Sequence, residues 1–176
     1  MKTILLVAIM FAGGFANALS FKVVNDGEVG AYFAGASAGY ENRMNANFDG
    51  QTIDSPFISN RSIVGNYFSY GVHTAGEQVV FANHVIDTGN WFYSIDAFND
   101  DGLRHIQQSS FKLLDGTPVL LIGFEDLYGG GDLDFNDNVV MFTNIMAVVP
   151  EPETYMMLIV GLGLIGFTLR MRWWQQ

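Results

Sequence analysis

The chain has 176 residues, no cysteine, eight Lys or Arg against eighteen Asp or Glu, and a formal net charge of −10 at pH 7. That length allows one ordinary domain with terminal segments, the missing cysteines exclude disulfide bracing, and the acidity excludes nucleic acid or anionic lipid as a partner, since both demand a basic surface. Residues 19–153 hold all eighteen acidic residues and only five basic ones, Lys22, Arg43, Arg61, Arg104 and Lys112, so this stretch attracts cations.

Residues 1–18 carry Lys2, an apolar run from Ile4 to Phe15, and Ala16-Asn17-Ala18 as a small-x-small cleavage site. That order predicts a secretory signal peptide, with the mature body starting near Leu19. Val23 to Met44, small and aromatic with interrupting glycines, predicts paired strands rather than a helix. Asn45 to Asn60 is rich in Asn, Asp, Gly and Ser and predicts loops about a short strand near Ile53.

Ile63–Tyr70 and Gln78–Ile86 predict strands, the second placing Val79, Phe81, Asn83 and Val85 on one face. Asp87-Thr88-Gly89-Asn90 predicts a turn, after which Trp91–Ile95 returns as the second half of a hairpin. Trp91, Phe92 and Tyr93 read first as packing residues and second as a sugar-stacking platform. In Phe98-Asn99-Asp100-Asp101-Gly102-Leu103-Arg104-His105 a tight turn brings Asp100 or Asp101 toward His105 as a hydrogen-bonded pair. His73 and His84 lack zinc-ligand spacing. Phe111–Leu114, an Asp115-Gly116-Thr117-Pro118 turn and Val119–Phe124 form another hairpin, and Asn138–Val148 is the last strand.

Between these two strands lies the acidic loop 123–138, which concentrates Glu125, Asp126, Asp132, Asp134 and Asp137. Read as extended chain, Asp132, Asp134 and Asn136 share one face, with Leu133 and Phe135 as anchors on the other. Glycines 129–131 allow the chain to double back and bring Glu125 and Asp126 to the same place. Clustered carboxylates repel unless a cation sits among them, and a hard divalent ion wants six to eight oxygens, so calcium is the natural cofactor. The D-x-D-x-N spacing opens like an EF-hand loop, but Asp137 and Thr143 stand where that loop needs Gly and Glu. A merely solvated acidic turn remains the alternative on composition.

No stretch of the body shows a helical stripe, and the many short strands predict an all-β fold, an antiparallel β-sandwich of jelly-roll type, over residues 19–148. Beyond it lie Val149-Pro150-Glu151-Pro152-Glu153, an uncharged apolar run over 154–169, and a basic end with Arg170 and Arg172 over 170–176. The apolar run reaches about 24 Å as a helix, just enough for a single transmembrane span with snorkelling arginines and a cytoplasmic tail.

Val149-Pro150-Glu151-Pro152 followed by a short apolar helix and Arg170 and Arg172 resembles the PEP-CTERM sorting signal of Gram-negative bacteria. The resemblance implies a transient inner-membrane anchor, recognition by an exosortase-type transpeptidase near Pro150, Glu151 and Pro152, and export to the cell surface or extracellular matrix. A permanent single-span anchor is the alternative. Phe124-Glu125-Asp126, Gly130-Gly131-Asp132 and Asp134-Phe135-Asn136-Asp137 are similar to the signature of a bacterial exoprotein domain of unknown function. Asn99-Asp100-Asp101-Gly102 and His105 are similar to its upstream element. This second resemblance implies a β-sandwich with calcium at Glu125, Asp126, Asp132, Asp134 and Asp137.

The functional expectation is a non-enzymatic, calcium-stabilised surface or biofilm-matrix protein associated with exopolysaccharide or matrix proteins. A calcium-dependent lectin-like module using Trp91, Tyr93 or Tyr128 is the alternative. A glycoside hydrolase pairing Asp101 with Glu125 or Asp126 comes last. No Walker loop or Cys nucleophile is present.

Overall fold

The computed structural model describes residues 20–50, 57–148, 160–162 and 165. The expected signal peptide, the strand near Ile53, the sorting residues Pro150, Glu151, Pro152, Arg170 and Arg172, and most of the apolar run lie outside the described residues. Among the described residues no helix is long and apolar enough to cross a membrane.

Among the described residues eleven strands make two antiparallel sheets: β1 (Ser20–Val23), β2 (Gly27–Gly35), β3 (Asn42–Phe48), β4 (Ile58–Ser59), β5 (Tyr67–His73), β6 (Gln78–Val85), β7 (Trp91–Tyr93), β8 (Ile106–Lys112), β9 (Pro118–Phe124), β10 (Asn138–Thr143) and β11 (Ile145–Val148). Sheet A runs β11-β1-β6-β3-β4, with β7 also on β6, and sheet B runs β5-β2-β10-β9-β8. The protein is thus the antiparallel sandwich that its alternating strands predict. Its connectivity departs from a simple jelly roll in sheet B, where β8, β9 and β10 follow one another as a meander.

The two inner faces meet in a core of rings. Phe21 of β1 and Phe81 of β6 meet edge to face at 5.0 Å, and Phe81 lies 4.6 Å from Phe142 of β10. Tyr70 of β5 continues the series, 5.9 Å from both Phe142 and Phe48. Such pairs add to the area they bury by about 0.5–1.5 kcal/mol each. Around them Met44, Leu120, Ile122, Phe124 and Val140 are fully buried.

Local chemistry corrects four expectations. Strand β3 runs on to Phe48 through Asn45 and Asn47, which composition reads as loop; its ladder with β6 extends to Phe48↔Val79. Residues 63–66 are a turn, and β5 starts only at Tyr67. β8 begins at Ile106, ahead of the expected Phe111, because an edge strand with one wet face tolerates Gln107, Gln108, Ser109 and Ser110. The single expected strand over 138–148 is two strands in different sheets. Asn144 divides them at φ 62°, a left-handed conformation that Asn tolerates. Its side chain accepts from Asn25 N–H at 3.0 Å and donates to the Asn25 carbonyl at 2.8 Å, locking the chain where it changes sheet.

Candidate metal centre

Phe124 at the end of β9 pairs with Asn138 at the start of β10, so residues 125–137 form a closed loop between neighbouring strands. Glu125 N–H donates to the His105 carbonyl at 2.9 Å, and Asp137 N–H to the Phe124 carbonyl at 3.1 Å. Rigid strands therefore fix both ends, and the interior is free to take a shape the ladder does not impose.

That shape gathers carboxylates into two triads. Ligand oxygens of Glu125, Asp132 and Asp134 lie within 4.8 Å of one another, and so do those of Glu125, Asp126 and Asp137. Glu125 belongs to both. Asp132 and Asp134 are exposed, while Glu125 and Asp126 are 1% and 3% exposed and Asp137 9%. Glu125 Oε2 is buried and has no hydrogen-bond partner, and neither has the buried Oδ1 of Asn136. A buried carboxylate oxygen without a donor is costly unless a proton shared with the neighbouring Asp137 carboxyl or a bound cation satisfies it. Burial, reinforced by Asp132, raises the Glu125 carboxyl above its usual range. Burial also raises Asp137 to about 7; the Asp126 N–H that it accepts acts against this, and the neighbouring Asp126 and Glu125 charges add to it.

The glycine turn works as the sequence implies. At Gly131 φ is +49°, and a Cβ there would sit 2.0 Å from Glu125 Oε1. A side chain at 131 would have to displace that carboxylate and take a left-handed angle that glycine adopts without strain. The expected extended alternation of 132–136 is corrected: Leu133 and Phe135 take φ of 62° and 53°, and Leu133 is exposed, not a buried anchor. The loop instead coils in successive Asx turns, Asp134 N–H donating to Asp132 Oδ1 and Asn136 N–H to Asp134 Oδ1. Asn136 Nδ2 also donates to Asp134 Oδ2. Left-handed angles at Leu and Phe cost on the order of 1–2 kcal/mol each, a strain that persists only where surroundings or a ligand over-determine the backbone.

Beneath the loop runs a chain of buried amides that sequence reading missed. Asn42 Nδ2 donates to Asp126 Oδ2 at 2.6 Å, Asn83 Nδ2 to Asn42 Oδ1 at 3.1 Å, and Asn138 Nδ2 to Asn83 Oδ1 at 3.3 Å. Asn60 accepts from Asn42 N–H at 3.0 Å and donates to the Asp137 carbonyl at 3.3 Å. Asn42, Asn83 and Asn138 are all 0% exposed. The available signal was Asn83, an amide on the inward face of β6 among Val79, Phe81 and Val85.

The expected pairing around Gly102 is present. His105, fully buried and stacked 3.8 Å from Phe92, has Nε2 2.8 Å from Asp101 Oδ2 and Nδ1 3.1 Å from the Glu125 carbonyl. Asp101 Oδ2 also accepts from Gly129 N–H at 2.9 Å. Burial pushes the Asp101 carboxyl up, but the Gly129 and Leu103 N–H groups and His105 outweigh it and hold it at about 2. Asp101 is therefore a strut between His105 and the glycine turn, engaged on both sides. Of the aromatic cluster, Phe92 packs inward, whereas Trp91 is 38% exposed and stacks on His84 at 4.2 Å.

Residues 23–144 match the family described as Domain of unknown function (DUF4114), and residues 148–172 match the PEP-CTERM protein-sorting motif. No curated protein sequence matches the chain. Among solved structures, the C-terminal domain of the BC2L-C lectin from Burkholderia cenocepacia is similar over 72% of this chain and 94% of its own, at 12% identity and a TM-score of 0.50. A Ralstonia solanacearum high-affinity mannose-binding lectin covers 70% of this chain and 93% of its own, at 13% identity and a TM-score of 0.45.

Proposed function

The chain belongs to the DUF4114 family and carries a PEP-CTERM sorting motif, which marks it for exosortase-dependent export and surface sorting in Gram-negative bacteria, and on that premise we propose that it is a non-enzymatic surface or extracellular-matrix module whose acidic loop is set by calcium. In this reading residues 1–18 direct export, residues 154–169 anchor the chain transiently in the inner membrane, and cleavage near Pro150, Glu151 and Pro152 releases the sandwich.

The observation that carries the calcium assignment is Glu125, a buried carboxylate with an unpartnered oxygen where two carboxylate triads meet. The donors suit a hard cation: Glu125, Asp132 and Asp134 on the solvent side, Glu125, Asp126 and Asp137 on the inner side, with the Asn136 amide oxygen free to join. Calcium would neutralise the cluster and hold the Leu133 and Phe135 backbone in its strained form.

The test is thermal unfolding of the protein with calcium, with magnesium and with chelator. Saturation at about one hundred times the dissociation constant stabilises by roughly 2.7 kcal/mol, which raises Tm by about 10 °C for a domain of about 130 residues. A calcium-selective rise that disappears in Asp134→Ala supports the assignment; identical curves in calcium and chelator refute it.

A lectin-like role is the favoured refinement, because the outer triad is solvent-facing. A cation there has coordination positions open to sugar hydroxyls, and the sandwich shares its fold with a lectin domain. Exopolysaccharide is then the matrix partner, and a glycan panel read with and without calcium checks it.

A further inference from the structure

The acidic loop folds back over the outer face of sheet B. The Phe135 carbonyl passes so close to Gly123 that a Cβ there would lie 2.1 Å from its oxygen, so the missing side chain is what lets the loop lie on the sheet. Between the loop and β8 a cleft of about 450 Å³ remains, within the range of small-molecule sites. The ladder lays out its floor: Gln107 pairs with Gly123, Gly123 with Val139, and Ser109 with Leu121.

The lining selects the ligand. Gln107 and Ser109, on one face of β8, supply an amide and a hydroxyl, while Leu121 and Phe135 supply apolar surface. Among the described residues no Lys, Arg or His lines the cleft, and Asp134 stands at its loop end, so an anionic ligand finds repulsion and no counter-charge. Amide and hydroxyl groups beside apolar faces match a neutral pyranose, which presents hydroxyls at its rim and C–H groups on its faces. Asp134 and Asn136 make the cleft continuous with the outer triad.

We propose that this cleft is a subsite for one neutral sugar residue of a glycan whose adjacent residue is held at the acidic loop. The link to that neighbour rests on the calcium-dependent lectin reading; the cleft's own specificity rests on its lining. A ligand spanning both positions gains contact area without a second association cost, so chain length becomes a determinant of affinity.

The experiment is calorimetric titration of the protein in millimolar calcium with methyl glycosides of glucose, galactose and mannose, and with linear trimers of the same hexoses, repeated in chelator. A trimer binding at least about tenfold tighter than its monomer is expected. Ser109→Trp, which fills the cleft from an exposed strand position, should abolish that advantage and leave calcium affinity unchanged; Gln107→Ala should reduce it. Equal affinities for trimer and monomer, or a trimer advantage surviving in Ser109→Trp, overturn the subsite while leaving the lectin reading intact. A trimer advantage that persists in chelator and is lost in Ser109→Trp upholds the cleft and removes calcium from the lectin reading. Silence across the panel in a protein that still binds calcium overturns the cleft and the carbohydrate role together.

Discussion

Asn42→Ala is the perturbation that most directly tests how the candidate metal centre is supported. Its amide donates to Asp126 Oδ2 at 2.6 Å and accepts from Asn83 Nδ2 at 3.1 Å, in a place with no access to water. Truncation removes a bond to a carboxylate, about 1.5–3 kcal/mol, and strands the Asn83 amide donor, about 1–3 kcal/mol more. With an unfolding entropy of roughly 0.27 kcal/mol/K for a domain of about 130 residues, a loss of at least about 2.5 kcal/mol lowers Tm by about 9 °C or more. Differential scanning fluorimetry in chelator measures this term alone. The same scan in calcium measures whether the ion's increment also shrinks, as it should when Asp126 loses the donor that aims it. A Tm in chelator within about 2 °C of wild type would refute the reasoning, since it would mean that the buried amide chain contributes nothing net.

Gly123→Ala should cost about 1–3 kcal/mol by overpacking against the Phe135 carbonyl, and should weaken calcium binding by lifting the loop off sheet B; a calcium titration indistinguishable from wild type counts against that coupling. Asp137, raised from an ordinary 3.8 to about 7, binds a proton more readily folded than unfolded, so in chelator its contribution to stability is present at low pH and is lost as pH rises from about 4 to about 7. Calcium needs the ionised form, so its affinity climbs over that same window; an equal calcium increment in Tm at pH 5 and pH 8 would contradict this assignment.

The strands were legible where an apolar run stood between turn signals. Gln78–Val85 and Pro118–Phe124 are short apolar runs bounded by turn residues, and that bounding marks them as strands even though apolar groups stand on both faces. That signal failed at β3, where Asn45 and Asn47 look like loop residues but sit side by side on one face of the strand, the Asn45 amide donating to Asn47 Oδ1, a role that composition does not encode. The break at Asn144 was hidden for a similar reason: Ile145–Val148 is as apolar as the strand before it, and only one left-handed residue divides them. At the acidic loop, residue types named the cluster and the glycines explained its return path. Local spacing, however, suggested an extended strand where the chain coils through Leu133 and Phe135, and nothing in the order of residues told that Glu125 would sit between two triads.

The pairing of the first strand with the last has a consequence for timing. β1 is held by β11 and β6, and β2 by β10 and β5, so the opening strands of the sandwich find their full set of neighbours only when residues 138–148 are present. Contacts so distant in sequence are slow to close and give no reward to a partial chain. A polypeptide threaded through an export channel from its beginning would therefore stay pliable until nearly all of it had crossed, and would close into its sandwich only on the far side.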